Sequence, residues 1–201
     1  VEQNYDRAVK LYQQAVDKEY TSALCSLGLC YELGQGVEKD LAKAVELYRQ
    51  AAERGMPRAQ CNLGFCYYQG IGVEENDDEA VKWFSKAAEQ DYPRAIDLLA
   101  ECYENGYGVE KDEAKAVELY TRAADTGYPP ALCSLGLCYE LGTGVEKDEA
   151  KAVELYRQAA EKGDARAQCN LGYCYYVGIG VEEDNDEAVK WFAKAAEDGY
   201  P

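Results

Sequence analysis

Cysteine is the residue type in this sequence with the widest chemistry, because a thiolate can bind a metal, form a disulfide or act as a nucleophile. The chain contains nine cysteines, and eight of them form pairs with four residues between the partners. The pairs are Cys25/Cys30, Cys61/Cys66, Cys133/Cys138 and Cys169/Cys174. Cys102 stands alone, because Asp97 occupies the position five residues before it.

The spacing of these pairs argues against local chemistry. On a helix, residues five apart are separated by about 140° around the axis and about 7.5 Å along it, which is too far for a disulfide within the pair. Zinc sites often use histidine, and the chain has none. We interpret the cysteines as small buried hydrophobic residues, with a disulfide between repeats or a metal site as the alternatives. Free thiols favour a reducing, cytoplasmic compartment, and a secreted location is the alternative.

Three further patterns resemble known sites without matching them. The acidic turns 74–79 and 182–187 lack the ligand order and central glycine of an EF-hand, and helix capping explains them. The recurring Gly-x-Gly-Val loop follows a predicted helix and lacks the lysine of a phosphate loop. No histidine is present as a base, and no serine or cysteine has an adjacent activating partner. We therefore expect no catalytic site, no metal and no cofactor.

The net charge of −17 narrows the classes of partner. Binding to nucleic acid or to anionic membranes depends on lysine and arginine, so both are disfavoured. A basic or cationic partner is favoured. No run of 18 apolar residues is present, so we expect no membrane span, and no signal peptide is visible.

All of these candidates belong to a pattern that returns every 36 residues. A fixed period of this size indicates a solenoid. We expect a single array over residues 1–201, in which a remnant of one helix is followed by five repeats. The remnant covers 1–21 and the repeats cover 22–57, 58–93, 94–129, 130–165 and 166–201. Residues 1–93 match residues 109–201 at 68 of 93 positions, so a block of three repeats, 108 residues long, is duplicated.

Each repeat is predicted to contain two helices. Helix A covers about 22–33 in the first repeat, has a buried face that includes Leu27 and Tyr31, and ends at the Gly-x-Gly loop. Gly28 lies inside it, where glycine costs about 1 kcal/mol relative to alanine, so we expect a close approach of another helix there. Helix B begins after an Asx residue that caps it. These caps are Asn4, Asp40, Asn76, Asp112, Asp148 and Asp184. About eleven helices result.

The segment Leu27-Gly28-x-x-Tyr31, the Gly-x-Gly-Val loop and the KAVELYRQAAE helix resemble the Sel1-like repeat, a relative of tetratricopeptide repeats. The resemblance covers the whole chain. It implies an all-α fold, a right-handed α/α superhelical solenoid of 36-residue helix-turn-helix repeats, used as an adaptor that binds other proteins. The family shares no catalytic residues. Its secreted, cysteine-rich members bridge the end of one helix B to the next helix A, and the helix B ends here carry no cysteine.

The side chains of helix A that face away from Leu27 and Tyr31 are the best candidates for function. The resemblance places helix A on the concave side, where these residues would line a groove; the alternative is that they pack against the adjacent repeat. We call them the helix A stripe. It comprises Leu29, Leu33, Phe65, Tyr68, Leu98, Leu137, Leu141, Tyr173 and Tyr176. In the third repeat the groove changes character, because Glu101 and Glu104 replace apolar or aromatic residues.

Two functions fit these features. The first is a non-enzymatic scaffold that binds a basic or apolar peptide or partner protein on the helix A stripe, as aromatic anchors with polar surroundings do at interfaces. The second is a structural array that associates head to tail, because neither end shows the polar cap that solenoids normally need. A fragment cut from a longer protein is a simpler explanation of such ends.

Overall fold

A computed structural model of the chain describes residues 2–199, in which eleven α-helices and no strand occur. The prediction of an all-α fold with about eleven helices is therefore confirmed. The helices are α1 (Glu2–Val16), α2 (Thr21–Leu33), α3 (Leu41–Glu53), α4 (Pro57–Gln69), α5 (Asp77–Ala88), α6 (Pro93–Asn105), α7 (Glu113–Asp125), α8 (Pro129–Leu141), α9 (Glu149–Glu161), α10 (Ala165–Val177) and α11 (Asn185–Glu197). Even-numbered helices are helix A of each repeat, and odd-numbered helices are helix B.

The chain forms two compact units. The N-terminal unit extends to Ala95 and includes Tyr107–Val109, and the C-terminal unit comprises Ile96–Gly106 and the chain from Glu110 onward. Within the N-terminal unit α2 packs on α3, α3 on α4, and α4 on α5. Within the C-terminal unit α7 packs on α8, α8 on α9, α9 on α10, and α10 on α11. Within each unit, these helices pack on their neighbours in the sequence, as in an all-α repeat solenoid.

The Asx caps of helix B are confirmed in five repeats. The Asp40 carboxylate accepts a hydrogen bond from the Lys43 amide at 2.9 Å, and Asn76, Asp112, Asp148 and Asp184 cap their helices in the same way. The Asp40 amide itself donates to the carbonyl oxygen of Tyr31 at 3.0 Å, which joins helix B to the preceding helix A. These bonds account for the acidic turns without an ion.

The predicted cap at Asn4 is wrong. Helix α1 begins at Glu2, so Asn4 lies inside it. At the other caps the amide of the Asx residue donates to a tyrosine carbonyl of the preceding helix A. Asn4 is the third residue of α1, so it belongs to the body of the helix and not to its cap.

Glycine also makes the joint between consecutive repeats. Gly72, the second glycine of its Gly-x-Gly loop, has a φ of +69°, and a Cβ atom there would contact the backbone of Leu41, the first residue of α3. Equivalent approaches join Gly36 to Tyr5, Gly108 to Asp77, Gly144 to Glu113, and Gly180 to Glu149. The loop after one helix A therefore rests on the start of the helix B before it, with no side chain between them.

The expected close approach at Gly28 is confirmed. A Cβ atom on Gly28 would lie 2.8 Å from Cε1 of the Tyr48 ring, which is fully buried. Gly64, Gly136 and Gly172 approach the aromatic residue of their own helix B in the same manner. Glycine inside helix A thus makes room for an aromatic ring of helix B.

The cysteines occupy the core, as the sequence indicates. Eight of the nine are buried and Cys169 is partly buried, and all nine are free thiols. Burial raises the pKa of Cys66, Cys138 and Cys174 to about 12 and that of Cys133 to about 11. Such thiols stay protonated at neutral pH and are weak nucleophiles.

The predicted boundaries of the array include three residues outside the described part of the chain. These are Val1, Tyr200 and Pro201.

Candidate protein-interaction surface

The nine residues of the helix A stripe differ in exposure. Five are exposed to solvent: Leu33, Leu137, Leu141, Tyr173 and Tyr176. The other four, Leu29, Phe65, Tyr68 and Leu98, are partly buried. The five exposed residues fall at three positions of helix A: Leu137 and Tyr173 share one, Leu33 and Leu141 share a second, and Tyr176 occupies a third. Exposed large apolar side chains that cluster in this way form the kind of patch that marks an interaction site.

The stripe of the second repeat is an aromatic cluster. The rings of Phe65 and Tyr68 have centroids 6.5 Å apart, and Tyr68 meets the Tyr107 ring at 5.8 Å. The Arg94 guanidinium lies 5.1 Å from the centroid of Phe65. Tyr68 also meets Phe84 of α5 edge-on at 6.3 Å. Phe65 and Tyr68 therefore pack partly inside the N-terminal unit while keeping some exposure.

The glutamates at the corresponding helix A position are also tied to helix B. The hydroxyl of Tyr48 donates to Glu32 at 2.6 Å, that of Tyr120 to Glu104 at 2.9 Å, and that of Tyr156 to Glu140 at 2.6 Å. Burial and the nearby glutamate raise the pKa of each tyrosine. The hydroxyl thus keeps its proton and orients the carboxylate.

We did not predict these pairs, although the sequence contains their signal. Where helix B carries tyrosine, the residue 16 positions earlier is glutamate, as in Glu32/Tyr48. Where helix B carries phenylalanine, that residue is tyrosine, as in Tyr68/Phe84 and Tyr176/Phe192. A buried hydroxyl requires an acceptor, and a phenylalanine does not, so the two positions change together.

The C-terminal unit contains a cavity of about 400 Å³ on its helix A side. Side chains of α6, α8 and α10 contribute to its lining. Acidic residues dominate: Asp97, Glu101, Glu104 and Asp164 line it together with Arg166 and Leu137. The α6 acids are spaced i, i+4 and i+7, so they share one face of that helix.

Arg166 is held at one side of this cavity. Its guanidinium donates to the carbonyl oxygen of Pro130 at 3.2 Å and to the Ser134 hydroxyl at 2.9 Å. Four carboxylates and one guanidinium therefore line the cavity. The sequence indicated Glu101 and Glu104. It did not predict that Asp97, on the same face of α6, lines the cavity with them, or that Asp164 and Arg166 join them from a distant part of the chain.

These residues can bind a ligand but do not form a recognisable catalytic set. Among residues 2–199, no group of three or more Cys, Asp or Glu side chains is arranged to hold a metal ion. No described helix has the length and apolar character needed to cross a bilayer. The available chemistry is that of carboxylates, aromatic rings and exposed aliphatic side chains, which are groups used in recognition.

Stacked helix pairs with a variable surface on helix A define this molecule as an α-helical repeat protein of the solenoid class. The Sel1 repeat model matches residues 1–20, 21–56, 57–92, 93–128, 129–164 and 165–200. The chain therefore belongs to the Sel1 repeat family. Proteins built from these repeats are generally scaffolds for protein–protein interaction and are typically non-enzymatic.

Solved structures support the assignment. A Sel1 repeat protein from Oxalobacter formigenes is 37% identical, with a TM-score of 0.88 over 98% of this chain and 79% of that one. A protective antigen with an SLR fold, present in uropathogenic Escherichia coli strains, is 40% identical, with a TM-score of 0.81. That match covers 94% of this chain but only 40% of the antigen. Comparison of the sequence with curated proteins gives no match.

Proposed function

We propose that this protein is a non-enzymatic scaffold that binds a peptide or partner protein on the helix A stripe. The observation that carries the proposal is the exposure of Leu137, Leu141, Tyr173 and Tyr176 on α8 and α10. These two helices contact each other in the C-terminal unit. Leucine and tyrosine side chains at one surface can bury apolar area against a partner.

Exposure is greatest toward the C-terminal ends of these helices. Leu141 exposes 64% of its side chain and Tyr176 exposes 57%. Such residues contribute little to the packing of the chain itself, so their side chains are available to contact a partner. Interfaces concentrate their binding energy in a few such anchors.

The test is a selection of 12-residue peptides from a random display library on the intact chain. Leu141→Ala combined with Tyr176→Ala should weaken binding of the selected peptides by about tenfold or more, because interface anchors contribute about 1–3 kcal/mol each. The matched control is Leu11→Ala, since Leu11 is similarly exposed at 56% but lies on helix B. Affinities come from fluorescence anisotropy.

Circular dichroism must show an unchanged unfolding midpoint for all three chains, which keeps a folding defect apart from a binding defect. Peptides that bind the double variant as tightly as the parent protein contradict the proposal. A selection that yields no binder at this surface contradicts it as well.

A second function, head-to-tail self-association, is favoured by one observation. Val189 on α11 is 66% exposed, whereas its counterparts Val45 and Val153 are 3% exposed. Phe192 is 36% exposed and its counterpart Phe84 is fully buried. Val45 belongs to a core cluster that includes Leu63 of α4, in the next repeat. A second copy that covers α11 would bury this apolar face.

Analytical ultracentrifugation from about 1 to 200 µM tests the second function. Association should increase with concentration and should weaken in Val189→Lys, because a charge in an apolar contact is costly. Thr121→Lys, at an exposed site of α7, is the control. A monomer over the whole range would rule out self-association.

A further inference from the structure

We infer that the partner segment bound by the C-terminal unit is basic: a lysine or arginine side chain enters the acidic cavity, and an adjacent apolar side chain packs on Leu137 and Leu141. This inference rests on the proposed function and adds the chemical class of the partner. Three observations support it. The surface of α8 is apolar, acidic residues line the cavity beside it, and Leu137 belongs to both the apolar surface and the cavity lining.

The apolar part of the surface is unpartnered. Leu137 is 38% exposed and Leu141 is 64% exposed, one turn apart on the same face of α8. Leu137 also lines the cavity, so the two surfaces are continuous at this residue. A peptide that covers both leucines therefore passes the mouth of the cavity within a few residues.

Charge decides which peptide fits. The cavity lining carries four carboxylates, those of Asp97, Glu101, Glu104 and Asp164, and one guanidinium, that of Arg166, which already donates to Pro130 and Ser134. This arrangement would attract a peptide cation and repel a peptide acid. The net charge of −17 extends the same preference to the approach of the partner.

One of the carboxylates is held in place before a partner arrives. Glu104 accepts a hydrogen bond of 2.9 Å from the hydroxyl of Tyr120, a buried residue. A preorganised acceptor binds a cation at a lower entropy cost than a mobile surface acid.

Two of the acidic residues, Asp97 and Glu101, are specific to the third repeat. The position of Glu101 is occupied by Leu29, Phe65, Leu137 and Tyr173 in the other repeats. The position of Asp97 is occupied by cysteine in all four. Since the other repeats fold with uncharged residues at both sites, the fold does not require acids there. We assign them to recognition.

The peptides selected for the proposed function also test this inference. Their sequences should be enriched in lysine or arginine within about three residues of a leucine, isoleucine, phenylalanine or methionine. Glu101→Leu, which installs the residue of the first and fourth repeats, should weaken their binding by about tenfold, because a partly buried charge-assisted hydrogen bond is lost. Glu101→Gln should have a similar effect without a change of shape.

The control is Glu161→Gln, which removes the same charge from an exposed site outside the cavity lining and should change affinity by less than about twofold. A selection repeated on Glu101→Lys should no longer enrich basic residues. This second variant keeps the test informative if Glu101→Leu proves more stable or less stable than expected.

The outcomes separate the two ideas. Peptides that lose affinity in the Leu141→Ala/Tyr176→Ala chain, but carry no excess of basic residues and bind Glu101→Leu normally, overturn this inference and leave the proposed function standing. Peptides that are insensitive to Leu141 and Tyr176 overturn the proposed function itself. Basic peptides whose binding falls with Glu101→Leu and with Leu141→Ala/Tyr176→Ala support both.

Discussion

The second and third repeats share the same helix pair but carry surface residues of contrasting chemistry. In the second, Phe65 and Tyr68 form an aromatic cluster with Arg94 and Tyr107. In the third, the positions of Phe65 and Tyr68 hold Glu101 and Glu104, which line an acidic cavity. Both repeats keep the Gly-x-Gly loop and the Asx cap of helix B.

The difference shows which positions are free to vary. The residue at 101 is glutamate in the third repeat and leucine in the first and fourth, although helix B carries the same Leu-Tyr pair in all three. The residue at 68 or 104 changes together with the aromatic of helix B, because a buried tyrosine hydroxyl needs an acceptor. One position therefore sets surface chemistry alone, and the other sets surface and core together.

The largest effect is expected from removing the ring of Phe84, on which Tyr68 of the aromatic cluster packs. Phe84 is fully buried beneath Tyr68, so Phe84→Ala should lower the free energy of unfolding by about 3–5 kcal/mol. The comparison is Phe192→Ala, at the equivalent but partly exposed site, where the loss should be clearly smaller. Urea unfolding measures both, and equal losses would show that burial does not govern the difference.

A second experiment exchanges the coupled pair between the two repeats. Phe84→Tyr alone places a hydroxyl beside the Tyr68 ring and should cost about 1–3 kcal/mol, because the buried group lacks an acceptor. Adding Tyr68→Glu recreates the Glu104–Tyr120 arrangement and should recover about 1–2 kcal/mol of that loss. A double-mutant cycle in urea gives the coupling; strictly additive effects would show that the 16-residue pairing is accidental.

A third experiment uses the thiols. Burial raises the pKa values of Cys66, Cys133, Cys138 and Cys174 above the value of about 8.5 for an unfolded cysteine. Deprotonation therefore favours the unfolded chain: stability is full below about pH 8.5 and falls as the pH rises toward 11 to 12. The urea midpoint should decrease between pH 8 and pH 10.5, and a constant midpoint would contradict the raised pKa values.

One cysteine position also distinguishes the second repeat from the third. The third repeat has Asp97 where the second has the buried Cys61. In Asp97→Cys, ten thiols should titrate with Ellman's reagent after unfolding. In the folded protein the added thiol should react faster than the buried cysteines, because it would line the cavity. A reaction as slow as that of the buried cysteines would show that the reagent does not reach this site.

The smallest effect concerns the turn after helix B. The second repeat has Asp91 at a φ of +56°, where the third and fourth have Gly127 and Gly163. Asp91→Gly should raise the unfolding free energy by about 0.5–1 kcal/mol, because a left-handed conformation strains a residue with a Cβ. Gly163→Asp, with no atom within 4 Å of the added Cβ, should lower it by a similar amount. Thermal unfolding can resolve both changes.

Local rules predicted most of the fold from the sequence. The period of 36 residues, the Asx caps and the glycine stops each act within a few residues, so the helices follow from them. The buried position of the cysteines and the close approach at Gly28 followed from helical faces. The cap predicted at Asn4 was wrong, because helix α1 begins two residues earlier, at Glu2.

The candidate surface was less predictable. Helical spacing placed Leu141 and Tyr176 correctly on the outer face of helix A. It did not reveal that Phe65 lies under Arg94, or that Asp164 and Arg166 join the acids of α6, because those contacts connect different repeats. Exposure depends on what the neighbouring repeat places over a residue, and a single repeat does not contain that information.

The glycine joint between repeats has a consequence for how the array can change. At Gly72 the three atoms nearest to an added Cβ would be the carbonyl oxygen, the carbonyl carbon and Cβ of Leu41. This part of the joint is therefore formed mainly by backbone atoms, which every residue type supplies. Substitutions on the exposed surface of helix A leave this contact unchanged, as long as the two loop glycines are kept.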